Sequence, residues 1–316
     1  MGCLNAKLVP GVDPEDGPAP ETVYTGSKVK DEFDDINISK EQTSGQDLKT
    51  PPHETIETPK KGKYRVKIDP RVTAKYDIKA LIGRGSFSRV VRVENRTSRY
   101  PYAIKMIDRV QGKDVFEAEL SVLRRVKHKY VIQLVEVFES RDKVYMVMEL
   151  ATGGELFDRI IAKGTFTERD AIRVTQMIME GLKYLHGLGI THRDLKPENL
   201  LYYRPGPESD ILITDFGLSA TRRAGDEYMQ TTCGTPEYIA PEILARKPYN
   251  SLVDEWAAGV ICYIMLSGTM PFDDENRTRL YRQILKAKYS YNSEVSTPSY
   301  VDSEICVVIQ CSLKKC

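Results

Sequence analysis

The sequence has almost no net charge: 46 Lys and Arg stand against 45 Asp and Glu, leaving +1. A chain so balanced has no global field to draw it to nucleic acid or to an anionic bilayer, so any electrostatic recognition must be local. It also has no Cys-x-x-Cys pair. Its six cysteines (Cys3, Cys233, Cys262, Cys306, Cys311, Cys316) are scattered, which reads as reduced thiols in a cytosolic protein. No stretch reaches the about 18 consecutive apolar residues needed to span a bilayer. No basic region followed by an apolar stretch opens the chain, so no secretory signal is expected. Internal repeats are absent. What is present is ordinary for a soluble globular protein: 316 residues, 41% hydrophobic and 29% charged. That length suits one large domain or two smaller ones, plus a tail.

The chain divides into three parts. Residues 1–63 are rich in Pro, Thr, Asp, Glu, Lys and Gly, with isolated apolar residues. Such a segment buries too little apolar surface to offset its ordering entropy, so disorder is expected. From Tyr64 to Tyr291 the hydrophobicity is dense and patterned. After Asn292 the pattern lapses and ends in the apolar run Ile305-Cys306-Val307-Val308-Ile309.

Within the middle part, Ile78–Leu81, Val90–Val93 and Tyr102–Met106 read as strands of an antiparallel meander. Val115–Arg125 has helical spacing, with Phe116, Leu120 and Leu123 on one face. Strand-like runs follow at Val131–Phe138 and Val144–Leu150. Helices are then expected at Phe157–Ile161 and Ala171–Leu188, with a buried one at Val253–Leu266 that is apolar nearly all round. The pattern predicts a small β-rich lobe followed by a larger helical lobe.

The first strand pair is joined by Ile82-Gly83-Arg84-Gly85-Ser86-Phe87-Ser88-Arg89-Val90. Two glycines let backbone N–H groups approach a phosphate closely, although Gly-x-Gly alone equally marks a tight hairpin. A dinucleotide-binding motif needs a helix directly after the glycines; here strand follows strand. Downstream, Tyr102-Ala103-Ile104-Lys105 is a strand ending in lysine, and Glu119 on the next helix is placed to pair with it. Further on come His192-Arg193-Asp194-Leu195-Lys196-Pro197-Glu198-Asn199, then Asp215-Phe216-Gly217, then Ala240-Pro241-Glu242.

In this order the six features resemble the protein kinase superfamily. The resemblance implies an α+β, two-lobed protein kinase fold: a small antiparallel β lobe with one helix (about 76–150) and a larger, mainly helical lobe (about 151–291). It implies ATP and Mg²⁺ as cofactors and protein substrates as partners. Asp194 would accept the proton of the substrate hydroxyl and Lys196 would neutralise the γ-phosphate. Asn199 and Asp215 would hold Mg²⁺ through oxygen, as hard cations prefer. Lys105, oriented by Glu119, would grip the α/β-phosphates, and residues Ile82 to Val90 would cover them. Val90, Ala103 and Leu201 resemble the apolar residues that sandwich adenine, though core packing accounts for each alone. Met148 resembles the residue that sets the depth of that pocket, and Glu149 to Ala151 the hinge strand.

Asp194-Leu195-Lys196-Pro197-Glu198-Asn199 and Gly234-Thr235-Pro236-Glu237-Tyr238 look like the serine/threonine class. Glu155, in Gly153-Gly154-Glu155-Leu156, resembles the ribose-contacting acid of the family. With Glu198 it would also attract arginines upstream of the target hydroxyl, because carboxylates form charge-assisted bonds with guanidinium groups. The competing account is that both are solvated surface acids. Arg193, just before the catalytic Asp, is placed as the partner of an activation-loop phosphate. Thr231, then Thr232, are the candidate phosphosites, with a plain polar loop as the other reading. Leu123, Leu134, His192 and Phe216 resemble the stack that links the lobes, anchored by Asp254.

Glu149-Leu150-Ala151-Thr152-Gly153-Gly154-Glu155-Leu156-Phe157-Asp158-Arg159 resembles the calcium/calmodulin-dependent kinase group. The stretches Asp69–Gly83 and Ser86–Glu94 look more narrowly like the protein serine kinase H family, in which Ser88 is at home. Gly2 is a myristoylation acceptor and Cys3 a palmitoylation candidate, and two acyl chains anchor stably where one does not. Ala6 stands where the motif prefers Ser or Thr. By resemblance the protein would sit on the cytosolic face of Golgi or plasma membrane, with Lys60, Lys61, Lys63, Arg65 and Lys67 facing anionic lipid or merely solvated. No nucleic acid partner and no calmodulin site are expected.

The kinase pattern stops at Tyr291. In kinases Glu242 pairs with an arginine from the helices that follow, yet no arginine occurs here after Arg282. The large lobe is therefore expected to be incomplete, with 292–316 a divergent tail. Glu255 also stands where the family usually carries a hydrophobic residue. Beside an active enzyme, this leaves a second expectation: a catalytically weak, membrane-tethered scaffold.

Overall fold

The structure is a computed structural model that describes residues 68–289 except 86, 111–112 and 223–227, with 113–115 as backbone alone. The expected disordered segment, Gly2, Cys3, the basic cluster and the tail after Asn292 lie outside the described residues.

A short helix α1 (Pro70–Lys75) leads into β1 (Tyr76–Arg84), β2 (Ser88–Asn95) and β3 (Pro101–Asp108). Then come α2 (Lys113–Leu123), β4 (Leu134–Glu139) and β5 (Lys143–Glu149). The five strands form one antiparallel sheet in the order β1-β2-β3-β5-β4. Strand β5 has neighbours on both sides, and Val144 to Met148 are buried without a break. In β2 only the inward Val91 and Val93 are buried, the alternation of a strand with one wet face. The β2–β3 turn is set by Asn95, whose side-chain oxygen accepts from the N–H groups of Thr97 and Ser98, both at 3.0 Å.

The large lobe holds α3 (Leu156–Lys163), α4 (Glu168–Gly187), α5 (Pro241–Leu244), α6 (Leu252–Ser267) and α7 (Arg277–Leu285). Two small ribbons, β6 (Ile190–Thr191) with β9 (Ala220–Thr221) and β7 (Leu200–Tyr202) with β8 (Ile211–Ile213), carry the loops of the site. Helix α4 starts where Thr167 accepts from the Asp170 N–H, and Glu168 and Asp170 complement its N-terminal dipole. Its apolar face (Ala171, Val174, Ile178, Leu182, Leu185) packs on α6. Helix α6 is buried nearly all round and stops at Gly268 in the left-handed region, φ 72°.

The architecture is the two-lobed, α+β arrangement the motifs implied. The differences are at element ends. The helix expected to reach Arg125 stops at Leu123, where Arg124 and Arg125 turn out of it. The strand expected from Val131 begins at Leu134. Val131 instead bridges Ile213 of the large lobe, and the Ile132 N–H donates to the Ile213 carbonyl at 3.1 Å. An apolar run there is shared between lobes rather than spent on one sheet. The ribbons β6–β9 and β7–β8 are too short for any periodicity to announce.

Candidate active site

The site starts from strand β3. Lys105 pairs with Val90 on one side and Met146 on the other, so its backbone is fixed centrally in the sheet. Its ammonium lies 2.7 Å from both carboxylate oxygens of Glu119 on α2, and 3.2 Å from Asp215 Oδ1. The side chain of Glu119 is 2% exposed and that of Lys105 13% exposed, whereas that of Asp215 is 51% exposed. Burial alone would lower the lysine, but the flanking carboxylates Glu119 and Asp215 outweigh it and raise its pKa. Burial pushes the Glu119 carboxyl up and Lys105 pulls it back. At Asp215, burial is overcome by Lys105, which holds the carboxyl below its ordinary value. The lysine stays cationic and Asp215 stays anionic.

The second part is the loop from His192 to Asn199. Asp254, 1% exposed, anchors it from α6. Its Oδ2 accepts from the His192 N–H and its Oδ1 from the Arg193 N–H, each at 2.8 Å. His186 Nε2 lies 2.8 Å from Oδ2. Arg193, at φ 68°, and Asp215, at φ 64°, both hold left-handed backbone, a strain kept only where surrounding contacts enforce it. The His192 and Phe216 rings touch at 5.1 Å between centroids, and both side chains are fully buried.

Asp194 is held at both oxygens. The Thr235 hydroxyl donates to Oδ1 at 2.7 Å, and the Lys196 ammonium lies 3.1 Å from Oδ2. Lys196 also donates to Thr235 Oγ1 at 2.9 Å, closing a triangle. Asn199 donates from Nδ2 to the Asp194 carbonyl at 2.8 Å, and its own carbonyl accepts from the Thr214 N–H, one residue before Asp215. Thr235 was legible only as part of Gly234-Thr235-Pro236-Glu237-Tyr238, and His186 carried no signal beyond its place on α4. Both act through contacts with residues far along the chain.

The remaining predicted positions fall on three segments. Ile82, Gly83, Arg84, Gly85, Phe87, Ser88, Arg89 and Val90 form the β1–β2 hairpin; Ser86 lies outside the described residues. The Gly85 N–H donates to the Ser88 carbonyl at 2.8 Å, and a Cβ on Gly85 would lie 2.7 Å from Ser88 Oγ, so a side chain there would have to turn the serine hydroxyl aside. Ala103 and Met148 are paired across β3 and β5 and both are buried. Glu149 turns its carboxylate to the Gln133 N–H at 2.8 Å; Ala151, two residues on, is half-buried. Leu201 bridges Glu155. A Cβ on Gly153 would meet the Arg204 carbonyl at 2.2 Å, so the chain can pass from hinge to α3 only through glycine.

The donor set fits a hard cation shared with phosphates. Asp215 is an ionised, half-exposed carboxylate and Asn199 is an amide 7% exposed on the loop beside it. Magnesium takes one or two protein ligands and completes its shell with water and phosphate oxygens, so these two side chains would suffice to hold it.

Residues 76–316 match the family described as Protein kinase domain. The chain belongs to the protein kinase family. It is 66% identical to a serine/threonine-protein kinase H1 homolog of Pinctada fucata, over 93% of this chain and 72% of that one. It is 71% identical to serine/threonine-protein kinase H1 of Homo sapiens, over 77% of this chain. It spans 58% of the human relative's length. A calcium/calmodulin-dependent protein kinase type 1 of Macrobrachium nipponense is 49% identical over 75% of this chain and 70% of that one. The chain is more similar to the two H1 relatives than to the calcium/calmodulin-dependent kinase.

Two further features of the kinase core stand out. Thr231 and Thr232 are exposed, and the Thr231 carbonyl accepts from the Tyr249 hydroxyl at 2.6 Å. Arg193 Nη1 donates to that same hydroxyl at 3.3 Å, so Thr231 and Arg193 share a partner. The Oε2 atoms of Glu198 and Glu242 are buried with no hydrogen-bond partner among the described residues. No helix among the described residues is long and apolar enough to cross a membrane.

Proposed function

We propose that this chain transfers the γ-phosphoryl group of Mg-ATP to serine or threonine hydroxyls that have arginine upstream. The observation that carries the reading is the pair of linked clusters, Lys105–Glu119–Asp215 and Asp194–Lys196–Thr235, joined through Asn199 and Thr214. Lys105 has its charge set and its position locked, which suits it to orient the α/β-phosphates. The β1–β2 hairpin lies over them. Asp194 takes the hydroxyl proton as the oxygen attacks in line; Thr235 fixes the carboxylate and Lys196 meets the charge spreading over the γ-phosphate. Asp215 and Asn199 would hold magnesium, which would supply neutralisation of the phosphate charge.

The substrate preference rests on two acids, Glu198 and Glu155. Glu198 Oε2 is buried with no hydrogen-bond partner among the described residues. Burial, with Asp158 and Glu198 nearby, raises the Glu155 carboxyl. Both groups improve when a guanidinium arrives. A serine peptide with upstream arginines is expected to outperform its alanine counterpart about tenfold in kcat/KM. Glu198→Gln should erase most of that advantage. Equal use of both peptides by the parent would refute the preference.

Phosphate on Thr231, or on Thr232 beside it, is proposed to engage Arg193 and order the segment. Acylation at Gly2 and Cys3 is proposed to hold the kinase on the cytosolic face of a membrane. Gly2→Ala should move the protein from the membrane to the soluble fraction; retention on membranes would exclude the lipid anchor. One observation favours the scaffold reading. Glu242 carries a buried oxygen in the large lobe with no hydrogen-bond partner among the described residues, a feature that weakens a lobe. Label transfer from γ-labelled ATP to the peptide supports the enzyme, and ATP binding without transfer supports the scaffold.

A further inference from the structure

The described surface carries a second recess, on the small lobe, away from Asp194 and Lys196. It lies between the turn that ends α2 and strand β4, and its lining includes Arg124, Arg125, Val126, Lys127, Val135 and Val137. Strand β4 is the outer strand of the five-stranded sheet, so one edge of its backbone has no strand neighbour among the described residues, although the Arg71 side chain takes the Glu139 carbonyl. The pairing of β4 with β5 slips between Leu134 and Glu136, and the extra residue, Val135, is 48% exposed. A bulged edge with an outward valine is an apolar hold beside unpaired backbone.

Three of the four charged side chains that line it are cations. Glu136 is the one acid of the lining, and it is already engaged by Lys75 and the Tyr76 hydroxyl. Arg124 reaches Glu139 only at 3.5 Å. Arg125 gives a single hydrogen bond, to the Leu188 carbonyl at 3.3 Å. The Lys127 ammonium has no hydrogen-bond or ion-pair partner among the described residues, although its backbone N–H is held by Tyr184. Three cations therefore ring a floor of valines in a protein of net charge +1.

We propose that this recess is a docking site for an acidic peptide segment of another protein, with Asp or Glu flanking a large apolar side chain. The apolar anchor sits against Val135 and Val137, and the flanking carboxylates meet Lys127, Arg124 and Arg125. The site is separate from the phosphoryl-transfer groups, so it does not depend on the assignment of those groups.

Fluorescence anisotropy with the full chain and a labelled Glu-Asp-Ile-Glu-Asp-Phe peptide tests it. Saturable binding that weakens with added salt is expected. Lys127→Glu combined with Arg124→Glu should weaken it about tenfold or more, and Val135→Ser should weaken it several-fold. Both variants should keep the parent's thermal stabilisation by Mg-ATP, which shows that they are folded. The proposal fails if the peptide does not bind, or binds the variants as tightly as the parent. It also fails if an acidic peptide without Ile and Phe binds equally well. A loss confined to phosphatidylserine vesicles would reassign the patch to lipid.

Discussion

Lys105→Met should cost the protein about 3–5 kcal/mol of stability and abolish ATP binding, because it strands a buried carboxylate. Glu119 is 2% exposed, and its two oxygens are satisfied by the one ammonium. Removing the cation leaves a desolvated charge with nothing to offset it. The loss therefore has two separable parts, and a second substitution separates them. Adding Glu119→Leu removes the stranded charge and should return most of the stability, since an apolar pair in place of a buried ion pair is often neutral. It should not return nucleotide binding, for which the ammonium itself is needed. Denaturant midpoints and calorimetry on the three proteins check both parts. If the single variant is as stable as the parent, loss of Lys105 does not leave Glu119 as a stranded buried charge.

Asp194→Asn should lower phosphoryl transfer by about 10²–10⁴-fold, the range for loss of a positioned general base. Asparagine preserves the shape and can still accept from Thr235, so the loop should stay folded. Mg-ATP should therefore stabilise the variant against heat as well as it does the parent. A fall in transfer with unchanged ATP stabilisation places Asp194 in the chemical step. Equal loss of both would make it a structural residue. Asp254 supplies the contrast, because it grips the backbone N–H groups of His192 and Arg193 from α6 and is itself 1% exposed.

Most of the site was legible because its residues sit in short, ordered runs. Gly83 and Gly85 or Lys105 say little alone; it is their order along the chain with Asp194 to Asn199 and Asp215 that carries the signal. The two lobes were legible in texture: β-branched and aromatic runs separated by turns, then helical spacing and the nearly all-apolar run that forms α6. What escaped depends on tertiary contact. Thr235 braces Asp194 from 41 residues away. His186 reaches Asp254 across 68. Val131 looked like the start of a strand because apolar pattern reports burial and not the partner. Its partner is Ile213, in the other lobe. The outward Val135 was equally silent, since a bulge is a matter of register between strands and leaves no mark in either strand alone.

Isothermal titration of the purified chain with Mg-ATP, beside Lys105→Met and Asp215→Asn, bears most directly on the claim that one nucleotide is gripped from both lobes. A single site per chain is predicted, lost in Lys105→Met and no longer strengthened by magnesium in Asp215→Asn. Undiminished binding by both variants would mean that the nucleotide lies elsewhere, and that these residues are paired with each other for structural reasons alone.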